Sequence, residues 1–339
     1  MTGVPATEWI RGLPKAEIHV HLEGCLSPAV LAAAAGRAGL PAGSTVPPPF
    51  ADLTALLEAL DRSCALIDAA DLVERVAYDA AARIGASGTR YADMIFNPSH
   101  WPAWVSRLDD FVAALDRGFS AAELDGYPPV ALCVSIGRDQ SAADATALAE
   151  WAASVESTRL VGLSVDGNEA SSGRTGPRFA EAFRYAAAHG LRRAVHAGES
   201  SGPEGVRDAC DVLGAERIDH GIRAIEDPEL VIELAARGMP LAICPTSNLA
   251  LGLVGDMGEH PIEPLRRAGV VVTLNTDDPM LFGCDLVSEY ERCAEAFGWG
   301  HETLIDLARA SISSSFAPGG FKEQLFTELD TYRTSTTPE

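Results

Sequence analysis

The stretch VGLSVDGNEASSGRTGPRFAEAFRYAAAHGLRRAVH, residues 161–196, decides the fold. It begins with a short apolar run at 161–166, continues through an amphipathic segment at 178–188 and ends in a second apolar run at 193–196. Short apolar runs are typical of parallel strands that are buried on both faces. The stretch therefore predicts a strand–helix–strand unit.

The same alternation extends in both directions along the chain. It predicts strands at 17–22, 90–96, 130–135, 161–166, 193–196, 217–220, 240–243 and 270–275. It predicts amphipathic helices between them, for example at 72–84, 111–123, 141–153, 178–188 and 228–236. Eight such units predict an α/β fold, a single (β/α)8 TIM barrel with extra N-terminal helices. An open doubly wound sheet is the alternative, although no GxGxxG follows the first strand.

Length and composition agree with one large domain. The chain has 339 residues, of which 47% are hydrophobic, so it can fill a barrel core. We expect one catalytic domain over 1–339, with its core at about 13–330 and a frayed polar tail at 331–339. The proline-rich stretch at 41–50 is predicted to be a loop. The apolar stretch at 29–40 is too short to cross a bilayer and predicts a helix.

Charge and cysteine usage indicate the setting of the protein. The net charge of −22 makes nucleic acids and anionic membranes poor partners. The seven cysteines are scattered without a CxxC pair, and the N-terminus does not resemble a signal peptide. We therefore expect a cytoplasmic protein that acts on a small molecule. The sequence does not predict its oligomeric state.

Candidate chemical groups follow four of the predicted strands. His19 and His21 end the first strand, where residues two apart point to the same face. His196 and Glu199 lie in HAGE, His220 lies in RIDHG, and the last strand ends in Asp277 and Asp278. Each group alone could be structural, as a buried histidine or a helix cap. Together they predict one site at the barrel mouth, where barrel enzymes keep their active sites.

Three histidines and one aspartate with an open position for water are typical of a catalytic metal site. The metal lowers the pKa of its bound water to about 7 and so supplies hydroxide at neutral pH. Glu199 is the candidate acid that protonates the electrophile. The remaining histidines are predicted to be incidental, His100 being the possible exception; they are His100, His189, His260 and His301.

The motifs HVHLEG, HAGE, RIDHG, ICPTSN and LNTDDP, in this order between residues 13 and 310, resemble the adenosine deaminase family. The resemblance implies hydrolytic removal of the amino group of a 6-aminopurine, with one zinc ion per chain. It implies four zinc ligands, which are His19, His21, His196 and Asp277. It also implies catalytic roles for the residues that follow the strands: Glu199 would protonate ring nitrogen 1, His220 would orient and deprotonate the water, and Asp278 would bond nitrogen 7.

The resemblance also implies substrate-binding positions. Gly167 would offer its backbone N–H to nitrogen 3, where glycine allows a close approach. Glu23 and Ser247 are further candidates for substrate contact. Trp101 and Trp104 follow the second strand and would either stack on a bulky 5′ substituent or pack their own loop.

Departures from the family pattern leave the substrate open. Glu23 stands where adenosine deaminases have aspartate, at the position that contacts the ribose 5′-hydroxyl. Asp93 and Ile95 stand where glutamate and arginine are common, and Asp219 replaces the usual glycine of RIGHG. An adenosine-type nucleoside is the leading expectation. The alternatives are a modified adenosine such as 6-aminodeoxyfutalosine or an N6-methylated adenosine, free adenine, an ester or amide hydrolase, and a nucleoside-binding protein without activity.

Overall fold

Eight parallel strands form a barrel in the computed structural model, which describes residues 5–41, 53–174 and 176–336. Each strand pairs with the next one in the sequence. This confirms the predicted (β/α)8 barrel. The strands are β1 Lys15–His21, β2 Thr89–Phe96, β3 Val130–Gly137, β4 Leu160–Asp166, β5 Arg192–Ala197, β6 Arg217–His220, β7 Pro240–Ile243 and β8 Val271–Leu274.

Helices cover the outside of the barrel, and the five that the sequence predicts are present with bounds shifted by a few residues. The first eight are α1 Thr7–Gly12, α2 Pro28–Arg37, α3 Leu53–Cys64, α4 Ala70–Ala86, α5 Leu108–Leu124, α6 Ala142–Ser154, α7 Glu169–Ser172 and α8 Gly176–Ala188. The others are α9 Pro203–Asp211, α10 Pro228–Arg237, α11 Pro245–Ala250, α12 Ile262–Arg267, α13 Pro279–Phe282, α14 Leu286–Phe297, α15 His301–Ser314 and α16 Gly319–Thr336.

The barrel closes between β8 and β1, at the seam that carries part of the candidate site. The side-chain oxygen of Asn275 accepts the backbone N–H groups of Ile18 and His19, at 2.9 and 3.2 Å. Two residues further along both segments, Val20 and Asp277 form a parallel β-bridge. These bonds hold the end of β1 against the segment that follows β8, so the carboxyl ends of first and last strands meet.

The core is built as the sequence pattern predicts. Every residue of β3 is buried, as expected for a parallel strand covered on both faces. On α5, Phe111, Leu115 and Phe119 are buried on one helical stripe. Small residues allow close packing between helices, since a Cβ on Gly118 of α5 would come within 2.2 Å of the Glu74 carbonyl oxygen of α4. Helices α4 and α5 therefore pack closely at Gly118.

The structure bears on four peripheral features, which are the C-terminal tail, the loop at 41–50, possible membrane spans and the cysteines. The chain is helical up to Thr336, so the tail is not frayed over 331–336, because Tyr332 donates to the Trp9 carbonyl oxygen at 2.7 Å. The predicted loop at 41–50 lies outside the described residues except for Pro41. No helix in the described ranges is long and apolar enough to cross a membrane. All seven cysteines are described and are free thiols.

Candidate active site

Three imidazoles and one carboxylate converge at the barrel mouth. His19 and His21 lie on β1, His196 lies on β5, and Asp277 follows β8. One ligand atom of each lies within 4.8 Å of the other three. Oδ1 of Asp277 is 3.2 Å from Nε2 of His19 and 3.4 Å from Nε2 of His21. The structure thus brings together the four residues that the sequence predicts as metal ligands.

The chemistry of this group fits a divalent cation. Nε2 of His21 lies 3.0 Å from Nε2 of His196, so two imidazole nitrogens face each other across the site. Burial and the neighbouring His19 and His21 hold the pKa of His196 well below its usual range. A neutral imidazole is the form that binds a metal. Three imidazoles and one carboxylate suit zinc, although other divalent ions accept the same ligands.

A fully buried carboxylate, Asp219, lies beneath two of these imidazoles. Its oxygens are 3.5 Å from Nδ1 of His196 and 3.7 Å from Nδ1 of His19. Arg217 bonds Asp219 at 3.1 Å and Asp93 at 2.8 Å. The residues Asp93 and Asp219, which depart from the family pattern, therefore belong to one buried network.

The backbone is strained at two positions of the site. Among the described non-glycine residues, His220 and Asp277 have positive φ, at 64° and 63°. Such residues cost about 1–3 kcal/mol each and cluster at functional sites. The seam sustains the conformation of Asp277, whose carbonyl oxygen accepts the N–H of His21 at 2.8 Å. The strained backbone at His220 and Asp277 therefore sets the direction of these two side chains.

Glu199 lies in the turn after β5, and a second carboxylate holds that turn. Glu169, which is buried, accepts four successive backbone N–H groups through its two oxygens. The donors are Gly198 at 2.9 Å, Glu199 at 3.0 Å, Ser200 at 3.2 Å and Ser201 at 3.1 Å. Four bonds to one carboxylate fix the path of the chain on which Glu199 lies.

The sequence analysis missed Glu169. Glu169 begins α7 and lies three residues after the end of β4. Glu199 was identified by the same spacing, since it lies three residues after His196 of β5, so this spacing could also have pointed to Glu169. Arg138, also buried, donates to the carbonyl oxygen of His196 and lies 3.9 Å from Glu169. The guanidinium partly balances the charge of the buried carboxylate.

His21, His196, Glu199 and Asp277 border one cavity at the barrel mouth. The cavity wall on the side of the strands includes Gly167, Glu199, His220, Asp277 and Asp278. Gly167 has a φ of 96°, which a residue with a side chain rarely adopts. The structure places the predicted catalytic residues and the glycine around one space.

The opposite wall of the cavity is largely apolar. It includes Leu56, Leu57 and Leu60 of α3, together with Leu251. His100, the possible exception among the histidines, also borders the cavity, and its Nδ1 lies 2.6 Å from Asp61 of α3. This contact links α3 to the segment that follows β2.

Trp101 and Trp104 are buried, which agrees with the alternative that they pack their own loop. Their rings pack on Phe111, with centroids 4.9 and 5.5 Å away, and neither borders the cavity. Trp104 donates to the carbonyl oxygen of Ile67 at 2.6 Å. Trp101 donates to Oε1 of Glu23 at 2.6 Å, so it acts on the cavity only through that carboxylate.

The other two predicted substrate contacts have different positions. Ser247 is fully buried and donates to Oδ2 of Asp277 at 2.6 Å, so it supports a metal-ligand candidate instead of bordering the cavity. Glu23 does border the cavity. Its Oε1 accepts the backbone N–H of Asn97 at 2.9 Å as well as Trp101, while its buried Oε2 makes no hydrogen bond.

Replacing Asp219 with Asn should weaken zinc binding about 10- to 100-fold, the usual cost of losing a carboxylate behind a ligand histidine. Nδ1 of His196 makes no hydrogen bond, and an oxygen of Asp219 lies 3.5 Å from it, so the variant loses the negative charge behind this ring. The zinc dissociation constant can be measured by competition with a chromogenic chelator.

Asp93→Asn is the matched control for this experiment. It removes the other carboxylate on Arg217 without altering the contacts to the imidazoles, so its zinc affinity should stay close to that of the wild type. Equal losses in both variants, or no loss in Asp219→Asn, would contradict the role given to Asp219.

Comparison with known proteins places the chain among deaminases. The profile of the adenosine deaminase family matches residues 14–332. The chain is 35% identical to the adenine deaminase of Streptomyces coelicolor, and the match covers 95% of this chain and 96% of the relative. It is 33% identical to the aminodeoxyfutalosine deaminase of Streptomyces avermitilis, with coverages of 98% and 94%.

Solved structures agree with this placement. The adenine deaminase from Arthrobacter aurescens superposes with a TM-score of 0.88 at 28% identity, covering 95% of this chain and 100% of the other. An amidohydrolase from Burkholderia ambifaria with bound zinc superposes with a TM-score of 0.84 at 25% identity, with coverages of 97% and 95%. The chain therefore belongs to the adenosine deaminase family of metal-dependent aminohydrolases.

Proposed function

We propose that this enzyme uses zinc to hydrolyse the amino group from carbon 6 of a 6-aminopurine, and that free adenine is its preferred substrate. The observation that carries the reaction is the meeting of the metal-ligand group with Glu199, Asp278 and Gly167 around one cavity. The products are the 6-oxopurine and ammonia.

His19, His21, His196 and Asp277 would hold the zinc ion. When bound, zinc would lower the pKa of a coordinated water to about 7 and so supply the nucleophile. Ser247 holds one oxygen of Asp277, which leaves Oδ1 directed at the imidazoles. The bound zinc in the amidohydrolase from Burkholderia ambifaria supports this choice of metal.

Glu199 would act as the general acid. Burial and the nearby charges of Asp277 and Glu169 raise the pKa of Glu199 to about 8. The carboxyl group is then protonated at neutral pH and can donate its proton to ring nitrogen 1 while carbon 6 is attacked. A positioned acid contributes about 10²- to 10⁴-fold to such a step.

Two further groups would recognise the purine ring. Burial and the neighbouring Asp277 raise the pKa of Asp278 well above its usual range, which favours the protonated carboxyl. Its Oδ1 is buried without a hydrogen bond and, when protonated, would donate to nitrogen 7. Gly167 would donate its N–H to nitrogen 3. Three ring lone pairs would therefore meet three donors, which fits a purine and excludes ligands that present N–H groups at these positions.

Free adenine suits the rest of the cavity. The wall formed by Leu56, Leu57, Leu60 and Leu251 offers no hydrogen bonds to the hydroxyl groups of a sugar. Oε2 of Glu23 is available to the N9–H of the free base, a donor that nucleosides lack. The likeness to the adenine deaminases of Streptomyces coelicolor and Arthrobacter aurescens supports the same choice.

A second candidate substrate is aminodeoxyfutalosine, because a relative named for it covers 98% of this chain at 33% identity. Its bulky acidic 5′ substituent calls for a cation and an aromatic surface. Among the described residues that border the cavity, none is lysine or arginine, and Trp101 and Trp104 lie elsewhere. The geometry therefore favours the smaller substrate.

A substrate comparison with zinc-loaded enzyme tests both proposals. Adenine should exceed adenosine, 2′-deoxyadenosine, N6-methyladenosine and 6-aminodeoxyfutalosine in kcat/KM by about 10²-fold, equivalent to about 2.7 kcal/mol. Glu199→Gln should lower kcat by about 10²- to 10⁴-fold at unchanged zinc content. A nucleoside as the best substrate would overturn the choice of adenine. Zinc-loaded protein that releases ammonia from none of the five would overturn the proposed reaction.

Glu169→Gln should lower kcat up to about 100-fold at unchanged zinc content, because misplacement of a catalytic group by about 1 Å costs this much. The amide places an N–H donor against the backbone N–H groups of residues 198–201, so the turn that carries Glu199 must shift. Glu204→Gln is the matched control, since Glu204 is an exposed carboxylate on the neighbouring α9. Equal activity in the two variants would show that Glu169 does not position the acid.

A further inference from the structure

His260 is connected to the cavity wall although the sequence predicts it to be incidental. Its side chain is fully buried. Nδ1 accepts the backbone N–H of Ile262 at 3.1 Å, and Nε2 lies 3.1 Å from Oδ1 of Asn248. Nδ2 of Asn248 lies 3.4 Å from Nδ1 of His220. Three buried side chains therefore form one line of hydrogen bonds from a backbone N–H to His220.

The backbone N–H of Ile262 can only donate, and this fixes the direction of every bond in the line. Because Nδ1 of His260 accepts, the proton of this neutral ring lies on Nε2 and is donated to Asn248. Burial lowers the pKa of His260 to about 4, which agrees with a neutral ring. The amide oxygen of Asn248 then accepts, its NH₂ group donates to Nδ1 of His220, and the proton of His220 lies on Nε2.

We propose that His260 is a positioning residue that sets the tautomer and orientation of His220 through Asn248. The opposite tautomer of His220 would place its Nδ1–H against the NH₂ group of Asn248. If the amide turned over, the NH₂ group would face Nε2–H of His260 instead. In both arrangements two N–H donors face each other without an acceptor. Because Asn248 is fully buried, water cannot supply the missing acceptor, and both arrangements are unfavourable.

The consequence for the reaction, which rests on the proposed function, is that His220 presents an N–H to the cavity. Its Nε2 lies 3.6 Å from Oε1 of Glu199 and 4.0 Å from Oδ2 of Asp277, between the acid and the metal-ligand group. In this tautomer the ring has no lone pair at Nε2 and cannot accept a proton there. His220 therefore orients the attacking oxygen by donating a hydrogen bond and does not deprotonate it.

The tautomer can be observed directly by ¹⁵N NMR of protein labelled at histidine, because the two ring nitrogens give different shifts in the two neutral tautomers. The signals of His220 are assigned by their absence in His220→Gln. The wild-type protein should show the Nε2–H form. His260→Gln keeps an N–H donor within reach of Asn248 and should keep that form, with kcat within about threefold of the wild type.

His260→Leu removes the donor and should mix the tautomers of His220, with kcat up to about 100-fold lower at unchanged zinc content. His189→Leu, at an exposed histidine, is the matched control and should change neither quantity. A wild-type Nδ1–H tautomer, or an unchanged Nε2–H tautomer in His260→Leu, would overturn the proposal. If His260→Leu does not fold, the wild-type spectrum and His260→Gln still decide it. Wild-type protein that shows the Nε2–H form but deaminates no purine would support the relay while overturning the proposed function.

Discussion

The site depends on how the charges of several buried carboxylates and imidazoles compensate one another at the barrel mouth. His19, His21 and His196 lie against Asp277 at the barrel mouth, and Asp219 lies beneath them with no exposed surface. Buried carboxylates are unfavourable unless they are paired. Arg217 bonds both Asp219 and Asp93, while only Asp219 lies against the imidazoles. A divalent cation held by the imidazoles and Asp277 would compensate the charge of these buried carboxylates.

The barrel supplies the precision that this arrangement requires. The ligand candidates come from three strands far apart in sequence, and the closing seam through Asn275 and the Val20–Asp277 bridge brings them together. Around them, buried polar groups contact the residues that we propose to take part in the reaction. Glu169 fixes the turn of Glu199, Ser247 holds Asp277, and Asn248 contacts His220. Each of these three candidate residues thus has a separate supporting contact, as preorganised sites require.

The sequence predicts the fold and the chemical groups because both are local signals. Apolar runs identify all eight strands, and His19, His196 and Asp277 could be found because each ends or follows one of them. The supports could not be found in this way. Whether Trp101 stacks on a ligand or binds Glu23 depends on how the loop after β2 packs on Phe111, a long-range contact. His260 lies 40 residues from His220 and gives no signal until α12 places the N–H of Ile262 against its ring.

Titration of metal-stripped protein with zinc tests the central claim most directly, with ammonia release measured at each step on the 6-aminopurine that the enzyme prefers. The account predicts no activity without metal and a linear rise that ends at one zinc ion per chain. His196→Ala should neither bind zinc tightly nor regain activity. Full activity in the metal-stripped protein, or tight binding of one zinc ion without any deamination, would contradict a zinc-dependent hydrolase built on these residues.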